Sequence, residues 1–175
     1  MPAAHRCAFA LPLAMTAAQT LSALPPIAFI GGGNMAGAIL GGLRRAGLPA
    51  TQFEVVEPFA GTREQLAASQ GVSPQASAGP ALQRCQLVVW AVKPQTFKEA
   101  ALASAPHLKD ALHLSVAAGI TSESMAGWLQ TQRIVRAMPN TPALVGLGMT
   151  GLFARTGANE ADRALVEAVV RTTGE

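Results

Sequence analysis

An α/β architecture with a doubly wound parallel sheet follows from three features of the residue order. Apolar runs too short to be helices alternate with amphipathic stretches at helical spacing. The connections between them are short, as right-handed crossovers between parallel strands require. The run Leu87-Val88-Val89-Trp90-Ala91-Val92 is apolar on both faces, as a central parallel strand covered by helices must be.

The first strand is Ile27-Ala28-Phe29-Ile30, and a helix follows from about Asn34 to Ala46. Met35, Ala38, Ile39, Gly42, Leu43 and Ala46 share one face of that helix, and Gly47 supplies its stop. Phe53 to Val56 reads as a second strand ending at Glu57. Thr62-Arg63-Glu64-Gln65 has the form of a capping box, so the next helix is placed there and ends before Gly71. Val72 and Ser73 suggest a weak edge strand. Pro80 suits the first turn of a short helix reaching Cys85. Beyond the central strand, Pro94 opens a helix to about Ala105. Leu112 to Val116 is a strand broken by Ala117-Ala118-Gly119, and Thr121 or Ser122 caps a helix through Leu129. Arg133 to Ala137 and Met149 to Ala154 are further strands, and Asn159 to Thr172 is the closing helix.

Residues 26–175 thus form one Rossmann-like domain. Residues 1–25 stand apart as an N-terminal extension, expected to be disordered. Its Cys7 to Met15 run, with Arg6 before it and small residues after it, loosely imitates a secretory signal, but Pro12 interrupts it. Met15 is an alternative start. The run is too short to span a bilayer; a cofactor fold of the cytosolic kind begins at Ile27, so a cytoplasmic protein is expected.

Composition narrows the function. Half of the 175 residues are hydrophobic and 13% are charged, enough apolar material for a two-sided core. Thirteen Lys+Arg stand against 10 Asp+Glu, a net charge of +3. The basic residues are scattered, Arg44-Arg45 being the one adjacent pair, and Tyr is absent. Nothing resembles a basic patch with interleaved aromatics, so no nucleic-acid partner is expected. Two cysteines, Cys7 and Cys85, make neither a metal site nor a disulfide framework.

In a doubly wound sheet ligands sit beyond the carboxyl ends of the strands. The first such loop carries Gly31-Gly32-Gly33-Asn34-Met35-Ala36, directly behind Ile30. This is G-x-G-x-x-A between a strand and a helix, the context a dinucleotide fingerprint requires. Gly31 permits the tight turn, Gly33 lets the backbone approach a pyrophosphate, and Ala36 is small enough for close packing of helix on sheet. Glu57 ends the second strand, further along than the usual offset of roughly 20 residues. A carboxylate there accepts from the ribose hydroxyls of NAD and repels the 2′-phosphate of NADP, which Arg63 could offset. An exposed turn acid before Pro58 is the competing reading.

Ala91-Val92-Lys93-Pro94 places a lysine beyond a buried strand, within reach of phosphate or ribose oxygens. The small residues Ala117-Ala118-Gly119 let backbone groups approach a flat ring. Asn140 and Thr141, held between Pro139 and Pro142, are stiff polar groups able to orient a substrate. His5, His107 and His113 lie away from these segments, and no nucleophile–base pair is evident. Hydride transfer needs none, because a nicotinamide supplies the chemistry.

Together these segments resemble pyrroline-5-carboxylate reductase. The resemblance rests on Ile27 to Ala36, Ala91 to Gln95, Ser115 to Ile120 and Arg136-Ala137-Met138-Pro139-Asn140-Thr141-Pro142, in that order and spacing. It implies reduction of the ring imine of 1-pyrroline-5-carboxylate to L-proline with NADPH or NADH. By the same resemblance Ile30 to Ala36 hold the pyrophosphate and the residues around Glu57 meet the adenosine ribose. Ala91 to Pro94 and Ala117 to Gly119 line the ribose and nicotinamide. The family continues into a helical domain that builds the homo-oligomer and much of the substrate pocket. This chain ends at Glu175, about where that domain begins, so little turnover is expected of it alone. A catalytically silent dinucleotide-binding module and a related imine or hydroxyacid reductase are the alternatives.

Overall fold

The computed structural model describes residues 24–174, and the proposed N-terminal extension lies outside them apart from Leu24 and Pro25. Six strands form one sheet: β1 (Ile27–Ile30), β2 (Phe53–Val56), β3 (Leu87–Trp90), β4 (Leu112–Ser115), β5 (Ile134–Pro139) and β6 (Thr150–Ala154). Five α-helices accompany them: α1 (Asn34–Arg45), α2 (Ala60–Gln70), α3 (Pro94–Ser104), α4 (Ser122–Leu129) and α5 (Glu160–Val170). The strand order is β2-β1-β3-β4-β5-β6. β1 to β5 are parallel, and β6 returns antiparallel on β5 with Met138 opposite Gly151.

The sheet buries both faces, as its apolar strands demand. On one face Phe29, Val89 and Leu114 pack with Ile39, Leu43, Val166 and Val169 of α1 and α5. On the other, Trp90 and Val88 pack with Phe97 and Ala101 of α3 and Met125 and Leu129 of α4. Trp90 lies 5.2 Å from Phe97, centroid to centroid. Its indole N–H donates to His113 Nδ1 at 3.0 Å, satisfying a donor that apolar surroundings would otherwise leave unpaired. That bond requires an unprotonated Nδ1. Burial, with Arg133 adding to it, pushes the His113 pKa down to about 4.

Several elements differ from the sequence reading. The second helix begins two residues earlier than the Thr62 box, with Phe59 at its N-cap and no side-chain cap. Val72 and Ser73 form no strand; Gln75 instead makes a single bridge to Val56. Ala91 and Val92 fall beyond the end of β3. Conversely β5 continues through Met138 and Pro139, because the antiparallel β6 supplies partners on its outer side. The capping box that does form is Asn159 with Asp162, each side chain accepting from the other's backbone N–H.

The chain switches direction between β1 and β3: after β2 it crosses back over β1 to start β3 on the far side. A crevice at the carboxyl ends of the strands forms at such a switch.

Candidate functional site

The glycine turn fills this switch. Gly31 has φ +95°, a left-handed conformation that side chains disfavour. Its N–H donates to Val56 O at 2.8 Å, and a Cβ at Gly31 would meet Ala91 O at 2.6 Å. It is pinned between the ends of β2 and β3 and cannot carry a side chain. Gly33 is different: it is exposed, its φ is −69°, and a Cβ there would touch nothing within 4 Å. Neither backbone angle nor packing in the chain itself calls for glycine at this position.

Gly33 is also the N-cap of α1, which has no side-chain cap and no acidic residue in its first turn. The first backbone N–H groups of this 12-residue helix therefore have no cap and no acidic residue from the helix's own first turn. Open space at Gly33 beside uncapped amides leaves room for an anion to approach the start of the helix.

Glu57 is buried, which overturns its reading as an exposed turn acid. Its Oε2 accepts from Gly32 N–H at 2.7 Å and its Oε1 from Phe59 N–H at 2.9 Å. The carboxylate thus braces the glycine turn and sits fixed at the end of β2. Arg63 donates through Nη1 to the carbonyls of Glu57 and Pro58, at 2.9 and 2.6 Å.

Ala91 and Val92 are half-buried beside Gly31, and exposed Lys93 is the N-cap of α3, with Pro94 its first residue. The next loop begins at buried Ala117, whose N–H donates to Ser115 Oγ at 3.3 Å; Ala118 and Gly119 are exposed. Asn140 and Thr141 follow β5. They are less free than their prolines suggest: Asn140 Oδ1 accepts from Met149 N–H at 2.9 Å and closes the β5–β6 connection. Thr141 opens a short 3-10 turn, Thr141–Val145, that packs on α1.

The sequence reading passed over Arg136. It sits half-buried in β5, its Nη2 donates to Ala117 O at 2.8 Å, and no carboxylate pairs with it among the described residues. A lone arginine between the apolar residues Val135 and Ala137 of a strand was the available signal. It borders a hollow of about 480 Å³ walled by Thr121, Met138, Leu152 and Phe153. Val145, Leu147, Met149 and Phe153 leave apolar surface exposed around the β5–β6 end of the sheet. No helix among the described residues is long and apolar enough to cross a membrane.

Comparison with known proteins agrees with this geometry. Residues 26–119 match the family model described as NADP oxidoreductase, coenzyme F420-dependent. A pyrroline-5-carboxylate reductase of Pseudomonas aeruginosa is 43% identical over 139 residues, 78% of this chain and 51% of that protein. That of Haemophilus influenzae is 41% identical over 150 residues, 85% of this chain and 55% of that protein. The solved structure of the Coxiella burnetii pyrroline-5-carboxylate reductase superposes with a TM-score of 0.81 at 33% identity, covering 86% of this chain and 57% of that one. The chain belongs to the family of coenzyme F420-dependent NADP oxidoreductases, and the relatives it resembles are pyrroline-5-carboxylate reductases, of which it spans about half the length.

Proposed function

We propose that residues 26–175 are the dinucleotide-binding domain of an enzyme that reduces 1-pyrroline-5-carboxylate to L-proline in the cytoplasm. The observation that carries this reading is the open cradle at Gly33, facing the uncapped start of α1 at the switch between β1 and β3. The relatives' names supply the substrate class.

Ile30 to Ala36 hold the pyrophosphate of NADPH or NADH, with Gly33 admitting it and the first-turn amides of α1 facing it. Glu57, fixed by Gly32 and Phe59, is the acceptor for the adenosine ribose. Ala91 to Pro94 and Ala117 to Gly119 line the nicotinamide half. When bound there, the reduced nicotinamide supplies a hydride to the imine carbon, so the protein's task is positioning. Asn140 and Thr141 stand on the substrate side, with the Asn140 amide NH₂ left for a ligand because its Oδ1 is held by Met149. The exposed apolar residues at the β5–β6 end are the seat of the helical domain through which such enzymes assemble as homo-oligomers.

The reading is tested by imine-dependent oxidation of NADPH and NADH, with proline as the assayed product. The chain alone is expected to bind cofactor with little turnover, and turnover is expected once a relative's helical domain is supplied. Cofactor binding with no proline formed even then would favour a silent dinucleotide-binding module.

A further inference from the structure

We infer that Arg136 makes this site discriminate between the two redox states of its cofactor, favouring the reduced one. The inference rests on the proposed placement of the nicotinamide at Ala117 to Gly119.

Arg136 reaches that loop directly, through Nη2 to Ala117 O at 2.8 Å. It carries no compensating charge: no carboxylate lies within 4.0 Å of it among the described residues. Arg155, which donates to Ser122 of the hollow's wall, is paired with Glu123 at 2.9 Å. The Nε of Arg136 is buried and has no hydrogen-bond partner among the described residues. A partly buried guanidinium with an idle donor projects more potential than a solvated one, because little water screens it. Lys93, on the neighbouring loop after β3, is likewise in none of the ion pairs among the described residues. The fixed negative group of the crevice, Glu57, sits at the end of β2, with β1, β3 and β4 between it and β5, on the adenosine side of the proposed site.

The ring of a nicotinamide cofactor is neutral when reduced and carries a unit positive charge when oxidised. A fixed cation beside it leaves the reduced ring unaffected and repels the oxidised one. Arg136 therefore biases the site toward holding reduced cofactor and releasing the oxidised product. The bias acts on loading of reduced cofactor and release of oxidised cofactor; within the bound complex the same charge opposes departure of the hydride, so it is read in binding and not in the chemical step. The bond to Ala117 O also shapes the loop, and this acts on both redox states alike, so the ratio of affinities isolates the charge.

The experiment is calorimetric titration of the chain, of Arg136→Met and of Arg136→Lys with NADH and NAD⁺, NADPH and NADP⁺, and ADP-ribose, which lacks the ring. Wild type is expected to bind the reduced form roughly tenfold more tightly than the oxidised form. Arg136→Met is expected to bring that ratio to within about twofold of unity, while Arg136→Lys, which keeps the charge, retains most of it. ADP-ribose affinity is expected to be the same in all three. An unchanged ratio in Arg136→Met overturns the inference, and so does a wild-type ratio near one, which decides the matter even if that variant fails to fold. A chain that binds ADP-ribose but shows no redox preference refutes the role of Arg136 alone. Failure to bind any of the five probes refutes the dinucleotide reading and this inference with it.

Discussion

Gly31 and Gly33 are two residues apart in one turn, and the structure assigns them opposite kinds of necessity. Replacing Gly31 by alanine drives a methyl group to 2.6 Å from Ala91 O and 2.8 Å from its carbonyl carbon, both backbone atoms that cannot swing away. It also forces alanine to φ +95°, a conformation that costs L-residues about 1–2 kcal/mol before any clash. Adding the displaced strand end, the loss should be about 3 kcal/mol or more, lowering the melting temperature by roughly 6–12 °C for a domain of this size. Gly33→Ala meets nothing within 4 Å and needs no unusual angle. Its stability change should stay within about 0.5 kcal/mol, since the poorer N-cap that alanine makes is offset by the stiffer unfolded chain, each effect being somewhat under about 1 kcal/mol. Its methyl group, however, fills the space through which a pyrophosphate reaches the α1 amides, and cofactor affinity should fall at least about tenfold, or 1.4 kcal/mol. Thermal melts and calorimetric titration of both variants with NADPH and NADH separate the effects. A Gly33→Ala protein that melts like wild type and binds cofactor equally well would refute the cradle argument.

Three further outcomes are expected. His113 is held neutral with a pKa near 4, so the unfolded chain takes up its proton first as pH falls below 6.5. Stability from this group is thus complete above that value and lost toward pH 4, by about 2 kcal/mol at pH 5; denaturant titrations at pH 7 and 5 should show the loss, and His113→Gln should lack it. Asp162→Ala removes two bonds from Arg133, at 3.0 and 2.6 Å, and the acceptor for Asn159 N–H. With Arg133 partly exposed, it should cost about 2 kcal/mol by calorimetric melting, and a drop below about 0.5 kcal/mol would mean that water replaces the pair. Glu57→Gln takes a fixed negative charge from the end of β2, so the ratio of NADPH to NADH affinity should rise about tenfold; an unchanged ratio would mean the ribose sits elsewhere.

Much of the fold was legible because periodicity and punctuation agree along the chain. Ile27 to Ile30 and Leu87 to Trp90 are apolar on both faces and prove to be adjacent interior strands. Gly71 ends α2 in the left-handed conformation, and Thr121 caps α4 through Ser124 N–H as expected. The misplaced features depend on partners remote in sequence. Thr62 to Gln65 has a capping-box pattern, yet Arg63 bonds the carbonyls of Glu57 and Pro58, and the helix begins earlier. Pro139 reads as a loop residue but ends a strand, because β6 pairs with the outer side of β5.

The candidate site was legible as segments, and its couplings were not. The spacing from Gly31 to Glu57 suggested a ribose acceptor but could not disclose that Gly32 N–H anchors the carboxylate. Asn140 read as a presented group and is half-committed to Met149. Arg136 was invisible as a site residue because its contact, Ala117, lies on the neighbouring strand's loop.

The most direct test of the account is an equilibrium titration of the chain with NADPH and NADH, on a sample that melts cooperatively. Saturable one-to-one binding, weakened at least about tenfold by Gly33→Ala and left intact at the level of folding, is the predicted result. A folded chain that binds neither nucleotide would contradict the claim that the glycine turn between β1 and α1 is a dinucleotide cradle.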